Sequence, residues 1–146
     1  MLRLARKSDL MDIFYLANDE IVRFYSFNQN QISLEEHKKW FKKNLASKET
    51  KIYVYRNCDN DLIGVCRLEC VGGGDYKIGI SISSKFRKQG RAKKFIKWVL
   101  AKNKNKHILA FVKEENLASI TLFESCGFKF CQNSQNPKAL KYEINT

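Results

Sequence analysis

The residues best suited to chemistry stand in one short run, Arg87-Lys88-Gln89-Gly90-Arg91-Ala92. A segment of alternating apolar residues precedes it and a segment of helical period follows, so the run sits at a strand-to-helix turn. The first turn of a helix presents unpaired backbone N–H groups and the positive end of the helix dipole. Gly90 permits a backbone conformation that a side chain would hinder, and Ala92 leaves room for a close approach. Such a turn can cradle an anion such as a pyrophosphate. Arg87, Lys88, Arg91 and Lys93 add charge at its rim. An ordinary basic turn has the same composition, so the run by itself leaves both readings open.

The surrounding charge points the same way. The net charge is +12, and positions 76–113 hold twelve basic residues and no acidic one, leaving the rest of the chain neutral. A field so concentrated draws anions: nucleic acid, an acidic membrane or a polyphosphorylated small molecule. A solvated Lys-rich helix face is the plain alternative. Nucleic-acid binding would call for exposed aromatics among the basic residues. Here Phe95, Ile96, Val99 and Leu100 fall on the buried side of the helix, which argues against it.

The five cysteines are an odd number, and the start MLRLARKSD has too few apolar residues for a signal peptide. A reducing, cytoplasmic setting with free, buried thiols is therefore expected. Cys66 and Cys70 lie in one apparent strand, and His37 and His107 are the two histidines, so no metal site is expected. No apolar run approaches the roughly 20 residues of a membrane span.

These groups must be positioned by a single domain, 1–146, without repeats or linkers. A strand is expected over 1–5, then a helix capped by Ser8 or Asp9 with Met11, Ile13, Phe14 and Leu16 or Ala17 as its apolar side. A polar, aromatic stretch over 18–31 follows. Ser33 and Glu36 form a capping box for a helix whose stripe is Leu34, His37, Phe41 and Leu45, with Trp40 beside it. Strands over 51–56, 62–70 and 76–83 read as an antiparallel meander, with turns at 57–61 and at Gly72-Gly73-Gly74. The basic helix, a strand over 107–112, a helix over 116–126 and strands over 128–131 and 140–144 around a polar loop complete the chain. The order implies an α+β domain with one mixed, mostly antiparallel sheet.

Arg87-x-x-Gly90-x-Ala92 resembles the acetyl-CoA pyrophosphate motif of the GNAT family of N-acetyltransferases. Asn116, Ala118, Ser119, Ile120, Leu122, Phe123, Glu124, Gly127 and Phe128 are similar to that family's second CoA motif. Motif spacing and element order match over nearly the whole chain. The resemblance implies a three-layer fold, with the central sheet splayed to hold acyl-CoA and helices on both faces. In the N-terminal third, Asn18-Asp19-Glu20, Arg23, Ser26-Phe27-Asn28, Ile32-Ser33, Glu36-His37 and Trp40-Phe41 are similar to one branch of the family. That branch is associated with nucleotide-activated amino sugars of surface-glycan biosynthesis.

The resemblance implies direct transfer of acetyl from acetyl-CoA to a primary amine, with a nucleotide-linked amino sugar as expected acceptor. Ile80, Ser81 and Ile82 would line the pantetheine arm as an added strand. Arg87, Lys88, Gln89, Gly90, Arg91 and Ala92 would hold the pyrophosphate. Asn116, Ser119 and Phe123 would complete the CoA site. The acceptor would enter from the other side, over the stretch between the first two long helices. Arg23 would meet its diphosphate or carboxylate, and Ser26 and Asn28 its hydroxyls. Each has a local alternative: an ion pair of Arg23 with Glu20, and turn capping by the other two.

The chemistry needs a base for the ammonium and an acid for the leaving thiolate. Where many members carry Glu and Tyr, this chain has Lys77 and Phe123. Glu69 is the first candidate base or water relay, against a plain Lys pairing at a strand end. Asp75 is the second, and Tyr25 is a candidate acid. His37 reads as a core histidine and Trp40 as packing. Cys126 has no sequence neighbour to activate it. The alternatives are a peptide N-terminus, a polyamine or another small amine as acceptor, a CoA-binding member without catalysis, and a nucleic-acid module. Monomer and homodimer are both compatible with the sequence.

Overall fold

Alternation in the strand around residue 53 sets both faces of the sheet. Ile52 and Val54 point one way and Tyr53 and Tyr55 the other, and all four are buried, so both faces must be covered. The computed structural model describes residues 1–135 and 137–146. In chain order the elements are strand β1 (Leu2–Leu4), helices α1 (Leu10–Ala17), α2 (Glu20–Tyr25) and α3 (Leu34–Ala46), strands β2 (Thr50–Arg56), β3 (Leu62–Gly72) and β4 (Asp75–Ile82), helix α4 (Arg91–Lys102), strand β5 (His107–Val112), helix α5 (Leu117–Ser125), and strands β6 (Lys129–Gln135) and β7 (Lys138–Asn145). The described strands form one open sheet in the order β1-β2-β3-β4-β5-β7-β6. β4 and β5 run parallel, joined through α4, and the other neighbours are antiparallel. This is the expected α+β architecture with helices on both sides.

One face packs on α4 and α5. Phe95, Ile96 and Val99 of α4 are fully buried against Cys66, Leu68 and Ile78, and Phe123 of α5 and Cys126 just after it close the same core. The i, i+1, i+4 spacing of the apolar α4 residues leaves Lys93, Lys94 and Lys97 exposed. The other face is covered over β2 and β3 by α1 and α3, through Ile13, Leu16 and Phe41 on Ile52, Val54 and Val65.

Three expectations change. Asp9 stands at the N-cap position of α1, but its side chain makes no cap bond, because β1 and β2 bring Arg3 and Arg56 to the same point. Its carboxylate, 1% exposed, accepts bonds from Arg3 (2.8 and 3.0 Å), from Arg56 (2.7 and 3.1 Å) and from the Arg6 amide (2.7 Å). Asp9 thus closes the preceding 3-10 turn instead. The stretch over 18–31 contains a helix, α2, started by Asp19 accepting from Ile21 and Val22 amides at 3.1 Å each. The closing strands are longer than expected: the polar residues Gln132 to Gln135 pair with β7, since an exposed edge strand needs no apolar alternation. Of the expected polar loop, Asn136 lies outside the described residues.

Candidate active site

β4 and β5 pair over just three positions, Asp75–Lys77 against His107–Leu109. Beyond Lys77, β4 keeps its β3 partners and β5 keeps its β7 partners, but the two strands no longer pair with each other. The sheet therefore opens into a slot between Ile78–Ile82 and Ala110–Val112. The loop after β4 and the start of α4 stand on one side of its open end. The turn after β5 and the start of α5 stand on the other. An opening at the carboxyl ends of parallel strands is where such sheets take ligands.

The residues at the head of α4 fit an anion. Gly90 is the N-cap, with φ +74°, and no side chain caps the helix. A Cβ built on Gly90 would meet nothing within 4 Å, so the approach to the first-turn amides is open. Lys88 also adopts positive φ, at 60°; Lys88, Gln89 and Gly90 are exposed. Arg87 and Arg91, expected at the rim, are engaged elsewhere. Arg87 donates from Nε to the Ile82 carbonyl (2.9 Å) and from Nη2 to Asp19 (2.8 Å). Arg91 donates to the Tyr55 hydroxyl at 3.2 Å and lies over that ring. Lys88 and Lys93 are exposed and make no ion pair among the described residues, and the helix dipole adds its positive end.

Across the slot, Asn116 caps α5, its side-chain oxygen accepting from the Ser119 amide at 3.2 Å. Phe123 is 4% exposed and packs edge-to-face on Phe128 with centroids 5.1 Å apart. The side chains of Ile80 and Ile82 join the core beneath α4, which leaves Gly79 and Ser81 on the opposite face of β4.

On that opposite face α2 bridges the open end. Its N-cap Asp19 is held by Arg87 on the β4 side, and at its C-terminal end the Phe24 carbonyl accepts from Lys113, just past β5, at 3.4 Å. Tyr25 ends the helix half-buried, beside Phe24. Arg23 does not pair with Glu20. It donates to the carbonyls of Ala17 (2.7 Å), Asn28 (2.8 Å) and Asn30 (3.3 Å) and to the Ser26 hydroxyl (3.1 Å). Ser26 in turn donates to the Val22 carbonyl, and the Asn28 side chain accepts from the Asn30 amide. These three expected acceptor residues thus shape the loop that frames the slot. Sequence reasoning passed over Arg67, which is exposed on β3 opposite Gly79 and stacks on Trp40 at 5.7 Å. Its signal was a lone cation inside an apolar strand.

Glu69, the first candidate base, faces Lys77 across the β3–β4 pair, and their charges meet at 3.0 Å. The Lys pairing weighed as the plain alternative for Glu69 is therefore present in the structure. Asp75 is committed to His107, whose Nδ1 lies 2.7 Å away; His107 Nε2 lies 3.3 Å from Glu143 of β7. The Asp75 hydrogen bond holds the imidazole pKa above its ordinary value, against a small opposing effect of burial and with help from Glu143. A raised folded-state pKa makes this bridge stabilising below the unfolded value near 6.5, and its contribution fades as pH rises through the folded value. Wild-type protein should therefore lose more thermal stability between pH 6 and pH 9 than His107→Gln. Parallel melting curves would show the idea wrong.

The remaining candidates resolve as packing. His37 is buried among Phe14, Trp40 and Phe41, donates from Nε2 to the Leu10 carbonyl at 3.0 Å, and is held neutral by burial. Burial raises the Cys126 thiol and pushes Cys66 up to about 12, so neither is a nucleophile at neutral pH. A hollow of about 360 Å³ lies beside the slot, between Tyr15, Leu16, Asp61 and Phe86. It contains none of the expected site residues. Among the described residues no cluster of His, Cys, Asp and Glu could hold a metal, and no helix is long and apolar enough to cross a membrane.

Several solved structures share this fold. A spermidine N-acetyltransferase from Vibrio cholerae, in complex with CoA and spermine, superposes with a TM-score of 0.83 at 22% identity, covering 98% of this chain and 91% of that one. A phosphinothricin acetyltransferase from Sinorhizobium meliloti, in complex with AcCoA, gives 0.81 at 14% identity over 98% and 85%. A ribosomal-protein-alanine N-acetyltransferase from Brucella melitensis gives 0.80 at 17% identity over 98% and 96%. No curated protein matches the chain by sequence. A sequence profile described as an acetyltransferase (GNAT) domain matches residues 1–129. With that match over most of its length and the splayed sheet to go with it, the chain belongs to the GNAT family and is an acetyl-CoA-dependent N-acetyltransferase.

Proposed function

We propose that this enzyme acetylates a primary amine on an acidic small molecule, a nucleotide-linked amino sugar. The observation that carries the reading is the sign of the acceptor-side face. Arg67 stands there with no carboxylate partner among the described residues. Glu69, two residues along the same strand, is taken by Lys77. A polyamine, the acceptor named for the Vibrio cholerae protein, would meet a cationic face and be repelled. A diphosphate would be drawn to it. The sugar itself is carried by the resemblance of the segment from Asn18 to Phe41.

In this reading acetyl-CoA lies along the slot with its pyrophosphate at the Gly90 turn. The amine nitrogen attacks the thioester carbonyl, a C–N bond forms, and the C–S bond breaks to release the CoA thiolate. The proton lost by nitrogen passes to Glu69, through water. Tyr25 is the group offered to the thiolate, since Phe123 has no proton to give. Glu69→Gln should lower kcat about 100-fold with little change in acetyl-CoA affinity, read by thiol release under saturating acceptor. An unchanged rate would remove Glu69 from the mechanism.

The acceptor assignment is tested by thiol release from acetyl-CoA with three amines: a UDP-linked 4-amino sugar, spermidine and an alanine-terminated peptide. Turnover confined to the first is expected. Turnover with spermidine or the peptide alone would overturn it.

A further inference from the structure

We propose that Arg67 is the anion-binding residue of the acceptor site, holding a phosphate or carboxylate oxyanion of the amine substrate beside the slot. Its place follows from the strand register. Arg67 pairs with Gly79, two residues past the last β4–β5 pair, so it stands at the point where the slot opens. A Cβ at position 79 would lie 3.4 Å from its Nη2, and the missing side chain is what lets the guanidinium lie over β4. Trp40 supports it from α3 at 5.7 Å. The result is a cation held in place on the face opposite α4 and α5.

The neighbouring charges leave this role to Arg67. Lys77 is paired with Glu69, and Arg87 with Asp19. Arg23, the residue the sequence offers for an acceptor anion, has its donors occupied by three carbonyls and Ser26. Its charge lies close enough to Arg67 to be felt: burial lowers the Arg23 pKa, and the positive charge of Arg67 lowers it further. Arg67 has no hydrogen-bond or ion-pair partner among the described residues. A guanidinium offers a planar fork of donors that matches an oxyanion bidentately. Two like charges brought together without a carboxylate between them are relieved when an anion arrives.

The inference rests on the acceptor reading above in its direction of entry, and a binding experiment separates the two. Trp98→Phe leaves Trp40 as the one tryptophan, next to Arg67. Protein saturated with CoA, so that the Gly90 turn is filled, is titrated with UDP and with glutamate while Trp40 fluorescence is followed. A saturable change is expected, with Kd raised about tenfold or more by Arg67→Ala and less by Arg67→Lys. Tighter UDP than glutamate identifies phosphate as the group recognised. The reverse order identifies a carboxylate, and either order supports Arg67 as its ligand. CoA affinity within about twofold of the parent protein shows that the variants are folded. No saturable change, an equal Kd in Arg67→Ala, or a UDP signal that disappears as CoA is raised would overturn the proposal. If UDP binding depends on Arg67 but no amino-sugar nucleotide is acetylated, the acceptor reading falls and this one stands. If acetylation proceeds and the titration is blind to Arg67, the outcome is reversed.

Discussion

Gly90→Glu is expected to weaken CoA binding at least about 100-fold while leaving the protein folded. The glycine holds φ +74° at the head of α4, and a Cβ there meets nothing within 4 Å. A glutamate side chain would therefore leave the fold alone and project into the space in front of the first-turn amides. Two unit charges about 4 Å apart near a protein surface repel by about 4 kcal/mol, and roughly 2.7 kcal/mol is already about 100-fold in Kd. The left-handed conformation costs a non-glycine residue about 1 to 2 kcal/mol. Gly90→Ala carries that strain without the charge and serves as the control, with CoA affinity within about tenfold of wild type. Calorimetric titration with CoA reads both variants. Normal affinity in folded Gly90→Glu would remove the pyrophosphate from this turn and with it the assigned orientation of acetyl-CoA.

The second large effect is on stability. Asp9→Ala should cost about 3 kcal/mol or more, since it strands the Arg56 guanidinium, 4% exposed, without its main counter-ion. Asp12, at 2.9 Å, is half-exposed and compensates in part. Adding Arg56→Met to Asp9→Ala should recover most of the loss, because the unpaired buried charge is then gone. The same cluster sets an acid limit. Burial alone would raise the Asp9 pKa. Hydrogen bonds from Arg3, the Arg6 amide and Arg56 overcome that and bring it from 3.8 to about 2. A depressed carboxylate stabilises above its unfolded value, and that stability is lost as pH falls from near 4 through about 2. Urea denaturation at pH 7 and pH 3 measures both effects. A loss under about 1 kcal/mol in Asp9→Ala would show the cluster to be dispensable.

Much of the fold was legible because both of its periods are strong. β5 was expected over 107–112 and forms there; the three-strand meander follows apolar alternation and the α4 stripe the helical period, neither of which a loop would show. The elements missed were those whose burial pattern is weak. α2 exposes Ile21 and Phe24, so its apolar residues have no face to mark, and its one signal is the Asp19 cap. β6 was expected only at its start, over 128–131; its continuation, Gln132 to Gln135, is a polar sheet edge that reads as loop.

The site divides differently. Backbone chemistry was visible in sequence, because Gly90 at a strand-to-helix junction and Asn116 before a helix act through local geometry. Side-chain roles were not. Arg87 and Asp19 are 68 positions apart, and Arg56 and Asp9 are 47 apart. No local spacing says which arginine will be neutralised and which left free. The sequence alone therefore determined the α+β order of elements, the glycine at a strand-to-helix junction, and the gathering of net charge around that junction. The tertiary structure decided which cations are neutralised or engaged and which stay free. It commits Arg87, Arg23 and Lys77 to other groups and leaves Arg67 open, because an ion pair is set by which strands and helices come together, not by where its residues stand in the chain.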